Sequence, residues 1–173
     1  MTDNERKELS QYLTFRLDDE LFALNVSQVR EVLDMSPITK VPKSPGFMKG
    51  VINVRGSVVP VIDLRIKFGL PEKETDLETR IIIMDLVLDD ESTVIGALAD
   101  SVHEVKDLDQ SRIEAPPKLG ARWRSEFIKG IGKSDDQFIM ILDIDRVFSS
   151  DELAFIGEVE SASALPETKS AAG

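Results

Sequence analysis

Along most of the chain, hydrophobic residues fall at every second position or in short unbroken runs, and both patterns predict strands. Residues 12–17, YLTFRL, place Leu13, Phe15 and Leu17 on one face. After the turn-forming pair Asp18-Asp19, LFALNV (21–26) predicts a second strand. SQVREVL (27–33) reads differently: Val26, Val29 and Leu33 have helical spacing and Ser27 is a suitable cap, so one or two helical turns are expected. Pro37, Pro42 and Pro45 then mark a loop in which helix cannot persist. GVINV (50–54) and SVVPVIDL (57–64) predict strands on either side of Arg55-Gly56. Pro60 cannot donate to a ladder, which predicts an edge strand or a bulge. LRIKFG (64–69) predicts a helical turn stopped by Gly69, and residues 71–79 a charged, solvated loop. RIIIMDLVL (80–88), TVIGALADSVHEV (93–105), IKGIG (128–132) and QFIMILDI (137–144) predict further strands. A loop over 115–126 holds Pro116, Pro117 and Trp123. A helix is predicted from about Ser149 to Glu160, with Ser149 and Glu152 as a capping box and Leu153, Ile156 and Val159 as its apolar edge. Residues 1–10 are expected to be flexible, and the Ser/Ala-rich residues 161–173 to be disordered.

The pattern occurs twice. FMKGVINVRGSVVPVIDLRIKF (47–68) aligns without a gap on FIKGIGKSDDQFIMILDIDRVF (127–148). Phe47/Phe127, Lys49/Lys129, Gly50/Gly130, Asp63/Asp143 and Phe68/Phe148 are identical pairs. Upstream, LDDE recurs at 17–20 and 88–91, and Val29-Arg30-Glu31-Val32 is echoed by Val102-His103-Glu104-Val105. The matches keep one order, so the expected fold is mainly β, with two similar five-stranded barrel lobes packed together. Repeat one spans about 12–70 and repeat two about 80–148, and strands can be exchanged between lobes. Small closed barrels remove exposed sheet edges. Where the first copy turns on Val54-Arg55-Gly56, the second has Ser134-Asp135-Asp136, an ordinary solvated hairpin turn. The fold can therefore make this turn without arginine. Arg55 braces its lobe through a carboxylate such as Glu31 or Asp63, serves a role peculiar to that lobe, or does both.

Composition narrows the chemistry. A chain of 173 residues with no cysteine excludes disulfides, thiol catalysis and cysteine-bound zinc. A net charge of −11 argues against a nucleic-acid partner, which needs a basic face. No apolar run is long enough to span a bilayer, and MTDNERKELS has no signal-peptide core, so a cytoplasmic protein without membrane insertion is expected. GIGKS (130–134) resembles the end of a phosphate-binding loop, but the pattern needs glycine where Phe127 stands. His103 is the only histidine, and its neighbours on a strand point to alternate faces. Asp18-Asp19, Asp89-Asp90 and Asp135-Asp136 all fall at turns, as solvated hairpin tips do. No catalytic constellation, cofactor site or metal site emerges, so no enzyme is expected. The contrary reading is a small-molecule-binding or hydrolytic β-barrel protein using an interlobe cleft.

The stretches YLTFRLDDELFALNV, FMKGVINVRGSVVPVIDLRIKFG, GALADSVHEV and FIKGIG…MILDIDRVF together resemble the CheW family of bacterial chemotaxis coupling proteins over about residues 11–150. The resemblance implies two SH3-like barrel lobes and a non-enzymatic adaptor. It further implies coupling of methyl-accepting chemotaxis receptors to the histidine kinase CheA, at receptor clusters on the inner face of the membrane. The implied partners are the regulatory domain of CheA and the cytoplasmic helical tips of the receptors, met by a monomer that joins mixed rings. The implied partner-binding positions are Val29, Glu31, Gly50, Arg55, Gly56, Gly96, Val102 and Val105. The valines are also candidates for lobe packing, and the glycines for tight backbone approach. An adaptor of another receptor–kinase pathway, such as surface motility, fits the same residues.

Overall fold

The computed structural model describes residues 9–88, 91–115, 127–134 and 136–159. The strands are β1 (Leu9–Leu17), β2 (Glu20–Asn25), β3 (Val29–Asp34), β4 (Met48–Val54) and β5 (Ser57–Asp63) in the first half. In the second half they are β6 (Arg80–Leu88), β7 (Glu91–Ala99), β8 (Ser101–Asp109), β9 (Ile128–Ser134) and β10 (Gln137–Leu142). Single helical turns follow β5 (α1, Leu64–Lys67) and β10 (α2, Ile144–Val147), and a longer helix, α3, covers 150–159.

The strands form two five-stranded sheets, ordered β8-β1-β2-β10-β9 and β3-β6-β7-β5-β4. Shifting every strand by five places turns one order into the other, which is the duplication seen in three dimensions. Neither sheet is built from one half. The first, sheet A, takes β1 and β2 from the first half and β8, β9 and β10 from the second; sheet B takes the complement. The chain crosses between sheets at Asn25–Gln28 and again at Asp100.

Alternation gives each sheet two buried faces. On β1, Leu13, Phe15 and Leu17 point into a large cluster shared by both sheets, whereas Tyr12 points into a smaller cluster within sheet A, with Leu21, Ala23, Leu108, Ile139 and Ile141. Sheet B has the matching inner cluster of Ile52, Val59, Val61, Ile81, Ile83 and Leu98. The duplicated phenylalanines meet crosswise in the shared cluster. Phe47 lies 5.8 Å from Phe148, and Phe68 lies 5.6 Å from Phe127, ring centre to ring centre. The duplicated aspartates repeat one role: the Asp63 N–H donates to the Phe47 carbonyl at 2.7 Å, and the Asp143 N–H to that of Phe127 at 2.9 Å.

The outer strands of each sheet are not paired with each other, so neither barrel closes by a full ladder. Closure falls to one residue beyond the outer strand. Thr39 exchanges two backbone hydrogen bonds with Val51, at 2.9 and 2.8 Å, and Glu114 does the same with Ile131, at 3.0 and 2.8 Å. This seam explains the duplicated glycines. A Cβ on Gly50 would lie 2.2 Å from the Thr39 carbonyl oxygen, and one on Gly130 would lie 2.4 Å from the Ile113 Cγ2. Gly50 also sits at φ +147°, a conformation that side chains rarely adopt.

Several expectations are corrected. The helical turns expected over 27–33 shrink to one 3-10 turn, Val26–Gln28, followed by strand β3. Val29 and Leu33 are four apart, a spacing that satisfies both a helix and a strand, and pairing with β6 selects the strand. TVIGALADSVHEV breaks at Asp100 into β7 and β8. Leu9 and Ser10, within the segment expected to be flexible, pair with Asp109 and Leu108 of β8. Pro60 lies on an interior strand. Val51, its partner on β4, turns its backbone groups towards Thr39, so this pair is not hydrogen-bonded and the Pro60 nitrogen faces away from β4. On that other side the parallel pairing with β7 starts only at Val61, so no ladder bond is lost. The register shift in β4–β5 falls nearby, between Met48 and Gly50. Trp123 with the rest of 116–126, Asp89-Asp90, Asp135, and the tail after 160 lie outside the described residues.

Helix α3 opens with a reciprocal cap: Glu152 N–H donates to Ser149 Oγ at 3.2 Å, and Ser149 N–H to Glu152 Oε1 at 2.8 Å. The same carboxylate accepts from Lys67 Nζ at 2.7 Å, and Lys67 lies over the Phe47 and Phe148 rings at 5.0 and 5.6 Å. Ile156 and Val159 complete the shared cluster from this helix.

Gly50→Ala is expected to lower stability by about 3 kcal/mol in urea unfolding, because the added methyl displaces backbone at the seam. Gly46→Ala, which meets nothing within 4 Å, is expected to change it by less than about 0.5 kcal/mol.

Candidate functional site

The β4–β5 hairpin turns on two residues, Arg55 at φ 50° and Gly56 at φ 89°. Both are left-handed, as a turn matching strand twist requires, and Asn53 Oδ1 accepts from Gly56 N–H at 2.8 Å. Glycine or asparagine would adopt the first of these positions more cheaply than arginine. The arginine there reaches Glu31 on β3 with a two-pronged contact: Nη1 donates to Oε1 at 3.2 Å and Nη2 to Oε2. Of the two braces open to it in the sequence, the structure selects Glu31. Asp63 is occupied elsewhere, accepting from Arg65 N–H at 3.0 Å with Lys49 Nζ 3.7 Å away.

The pair closes the rim of a groove of about 690 Å³ at one end of sheet B. Val59, Ile83 and Val94 make its apolar floor, and Arg30, Glu31, Arg55 and Ser57 stand at its edge. Arg30 is held by Asp85, with Nε 2.9 Å from Oδ1. The Arg55 side chain remains 72% exposed although paired, so its guanidinium keeps a free flank. The hydrogen bonds from Arg55, reinforced by its charge and that of Arg30, hold the Glu31 carboxyl below the ordinary glutamate range despite some desolvation. The same bond raises the Arg55 pKa. The site presents an ion pair at the rim of a groove with an apolar floor.

Glu31, Arg55 and Gly56 thus come together at this groove. Gly50 and Gly96 lie buried in the same lobe, away from its surface. Gly50 admits the seam, and a Cβ on Gly96 would lie 2.8 Å from the Ile81 side chain, so both have packing reasons. Val29 and Val102 occupy equivalent strands and are half-buried against the shared cluster. Val105 is 49% exposed on β8, the outer strand of the other sheet. His103 Nε2 lies 3.0 Å from Ser101 Oγ on that strand, because residues two apart share a face.

One cluster was not apparent in the sequence. Arg65 of α1 is almost fully buried beside Asp100, with Nε 3.0 Å from Oδ1 and Nη2 on Oδ2, and its Nη2 lies 3.8 Å from Asp18. Its place in VIDLR gives no hint of partners 35 and 47 residues away. Among the described residues, no helix is long and apolar enough to cross a membrane.

The CheW-like domain model matches residues 11–152, spanning both sheets and the groove. The chain belongs to the CheW family. Over 149 residues it is 30% identical to the chemotaxis protein CheW of Klebsiella aerogenes, covering 86% of this chain and 87% of that one. It is 27% identical over 142 residues to the protein FrzA of Myxococcus xanthus, covering 81% and 86%. The crystal structure of the scaffolding protein TtCheW from Thermoanaerobacter tengcongensis superposes with a TM-score of 0.74 at 35% identity, covering 83% of this chain and 90% of that one. The CheW fold therefore accounts for both five-stranded lobes and their packing.

In an NMR titration the Glu31 carboxyl is expected to have its midpoint below the ordinary glutamate value, and to move up towards it in Arg55→Ala. A depressed carboxyl pKa means that the pair persists above that midpoint and is lost as pH falls through it. An unchanged midpoint in the variant would show that the contact is not maintained in solution.

Proposed function

We propose that the protein is a non-enzymatic adaptor of the cytoplasm that couples methyl-accepting chemotaxis receptors to the histidine kinase CheA. Family membership and the chemotaxis names of its relatives support this reading. The observation that carries it is the Arg55–Glu31 pair above an apolar floor. An arginine stands in a left-handed turn position where the sequence of the second repeat has aspartate, its side chain stays 72% exposed, and a groove lies beneath it. A helix laid into such a groove finds apolar anchors and a polar rim. Val29 and Glu31 on β3, Arg55 and Gly56 on the hairpin, and Val102 and Val105 on β8 are the proposed contact positions. Gly50 and Gly96 act through the shape of the lobe built on sheet B. The kinase's regulatory domain shares this fold by family resemblance, so lobe-to-lobe contacts of head-to-tail type would build mixed rings beneath the membrane.

A second reading is supported by the similarity to FrzA: an adaptor of the same mechanics serving a different receptor–kinase pathway.

Co-sedimentation with a receptor cytoplasmic fragment and CheA, with kinase activity as readout, tests the proposal. The wild-type chain is expected to join the pellet and change kinase activity. Arg55→Ala is expected to keep an unfolding midpoint close to wild type, since an exposed pair adds little, yet to lose most of the assembly. A variant that assembles normally, or one that fails only because it has unfolded, would remove Arg55 from the binding surface.

A further inference from the structure

The shared apolar cluster holds the lobes together, but apolar burial is non-directional and specifies an angle only loosely. A buried ion pair lies elsewhere, at the point where the chain passes from one sheet to the other. Asp100 is the single residue between β7 of sheet B and β8 of sheet A. Its own N–H donates to the Arg16 carbonyl at 2.9 Å, and its Oδ2 accepts from the Asp18 N–H at 2.7 Å. Both contacts fasten it to the β1–β2 turn of sheet A, where Asp18 adopts a left-handed φ of 61° that presents its N–H. Arg65 comes from the other lobe. It lies on α1, directly after β5 of sheet B, and its side chain is only 5% exposed. Its planar fork takes both Asp100 oxygens, its Nη1 donates to the Pro71 carbonyl, and Asp18 stands 3.8 Å away.

One guanidinium therefore engages three segments: the crossover residue, the β1–β2 turn of sheet A, and the connection leading from α1 to β6. A bidentate fork fixes direction as well as distance, which a lysine at the same place cannot do. Among the described residues, the crossover at Asn25–Gln28 has no arginine at the corresponding place. Aligning the repeats places Asp145 opposite Arg65, and burial together with the charge of Asp143 raises the Asp145 pKa. The arginine of the clasp thus belongs to one repeat only.

We infer that Arg65 is a positioning residue, which sets the angle between the two lobes and with it the placement of β8, the strand of Val102 and Val105, relative to the β3 edge and the Arg55 groove. The part that concerns partner contacts rests on the proposed function; the interlobe angle does not, and is measured on the chain alone.

The chain has no cysteine, so Ser57→Cys on sheet B and Gln137→Cys on sheet A, both exposed, accept spin labels uniquely. Double electron–electron resonance then reads the interlobe distance. Arg65→Ala leaves the largely buried Asp100 carboxylate without its cation and is expected to destabilise the fold. The deciding variant is therefore Arg65→Met with Asp100→Asn, which removes both charges and keeps an acceptor for the Asp18 N–H. It is expected to unfold cooperatively, with a wild-type circular dichroism spectrum. Its distance distribution is expected to broaden, or its peak to shift by about 2 Å. Arg65→Lys is expected to broaden it too. A distribution as narrow as wild type in the folded double variant overturns the inference, and so does a double variant that cannot fold, which would make Arg65 a stability residue only. Co-sedimentation of the cysteine-free chain and its Arg65 variants separates the two claims: failure of the wild type to bind receptor and kinase removes the proposed function and leaves the distance result standing.

Discussion

The structure depends on the apolar layer between its two sheets. Each sheet has a small inner cluster of its own, but the buried phenylalanines point the other way, into the cluster that both lobes share. Phe15, Phe22, Phe47, Phe68, Phe127 and Phe148 all lie there. A fully buried phenylalanine or leucine contributes about 1.5–3 kcal/mol relative to exposure. Removing one lobe would expose this whole face of the other, so the two lobes make a single unit of stability. Everything that reaches solvent, including the Arg55 hairpin and the β8 edge, is oriented by what this layer holds in place.

The polar features divide by depth in consequence. At the rim, Arg55 and Glu31 meet in water, where an ion pair adds little to stability and is free to serve recognition. At the crossover, Arg65 and Asp100 are desolvated, where charges are tolerated only with well-formed partners. The same chemical pair thus meets two different environments. The depressed carboxyl of Glu31 and the raised carboxyl of Asp63 show the contrast again: hydrogen bonds from a cation dominate one, and burial dominates the other.

Much of the architecture was legible in the sequence because alternation is a local signal. Leu13, Phe15 and Leu17, or the run IIIM of β6, report strands without help from distant residues. The duplication was legible because Phe47/Phe127, Gly50/Gly130 and Asp63/Asp143 keep their spacing, and the structure supplies a physical reason for each pair. What the sequence obscured were choices made by distant partners. Val29 and Leu33 fit a helix or a strand equally, and β6 decides between them. Pro60 reads as an edge residue until Thr39 is seen drawing the β4 backbone away from it. The Arg55–Glu31 pair was one of two open choices, whereas the Arg65 clasp could not be found from spacing at all, since its partners lie on turns of another sheet.

The exchange of strands between the halves also governs how such a chain can come into being. β1 lies between β2 and β8, so sheet A remains unfinished until residues of the second half have left the ribosome. Pairings that span some ninety residues must form after much of the loop entropy has been spent, which makes for slow folding. A nascent first half, with β3, β4 and β5 awaiting β6 and β7, would present open edges and a bare phenylalanine face to its surroundings. Duplication produced two copies that look independent on paper, and interleaving them has made each copy the chaperone of the other.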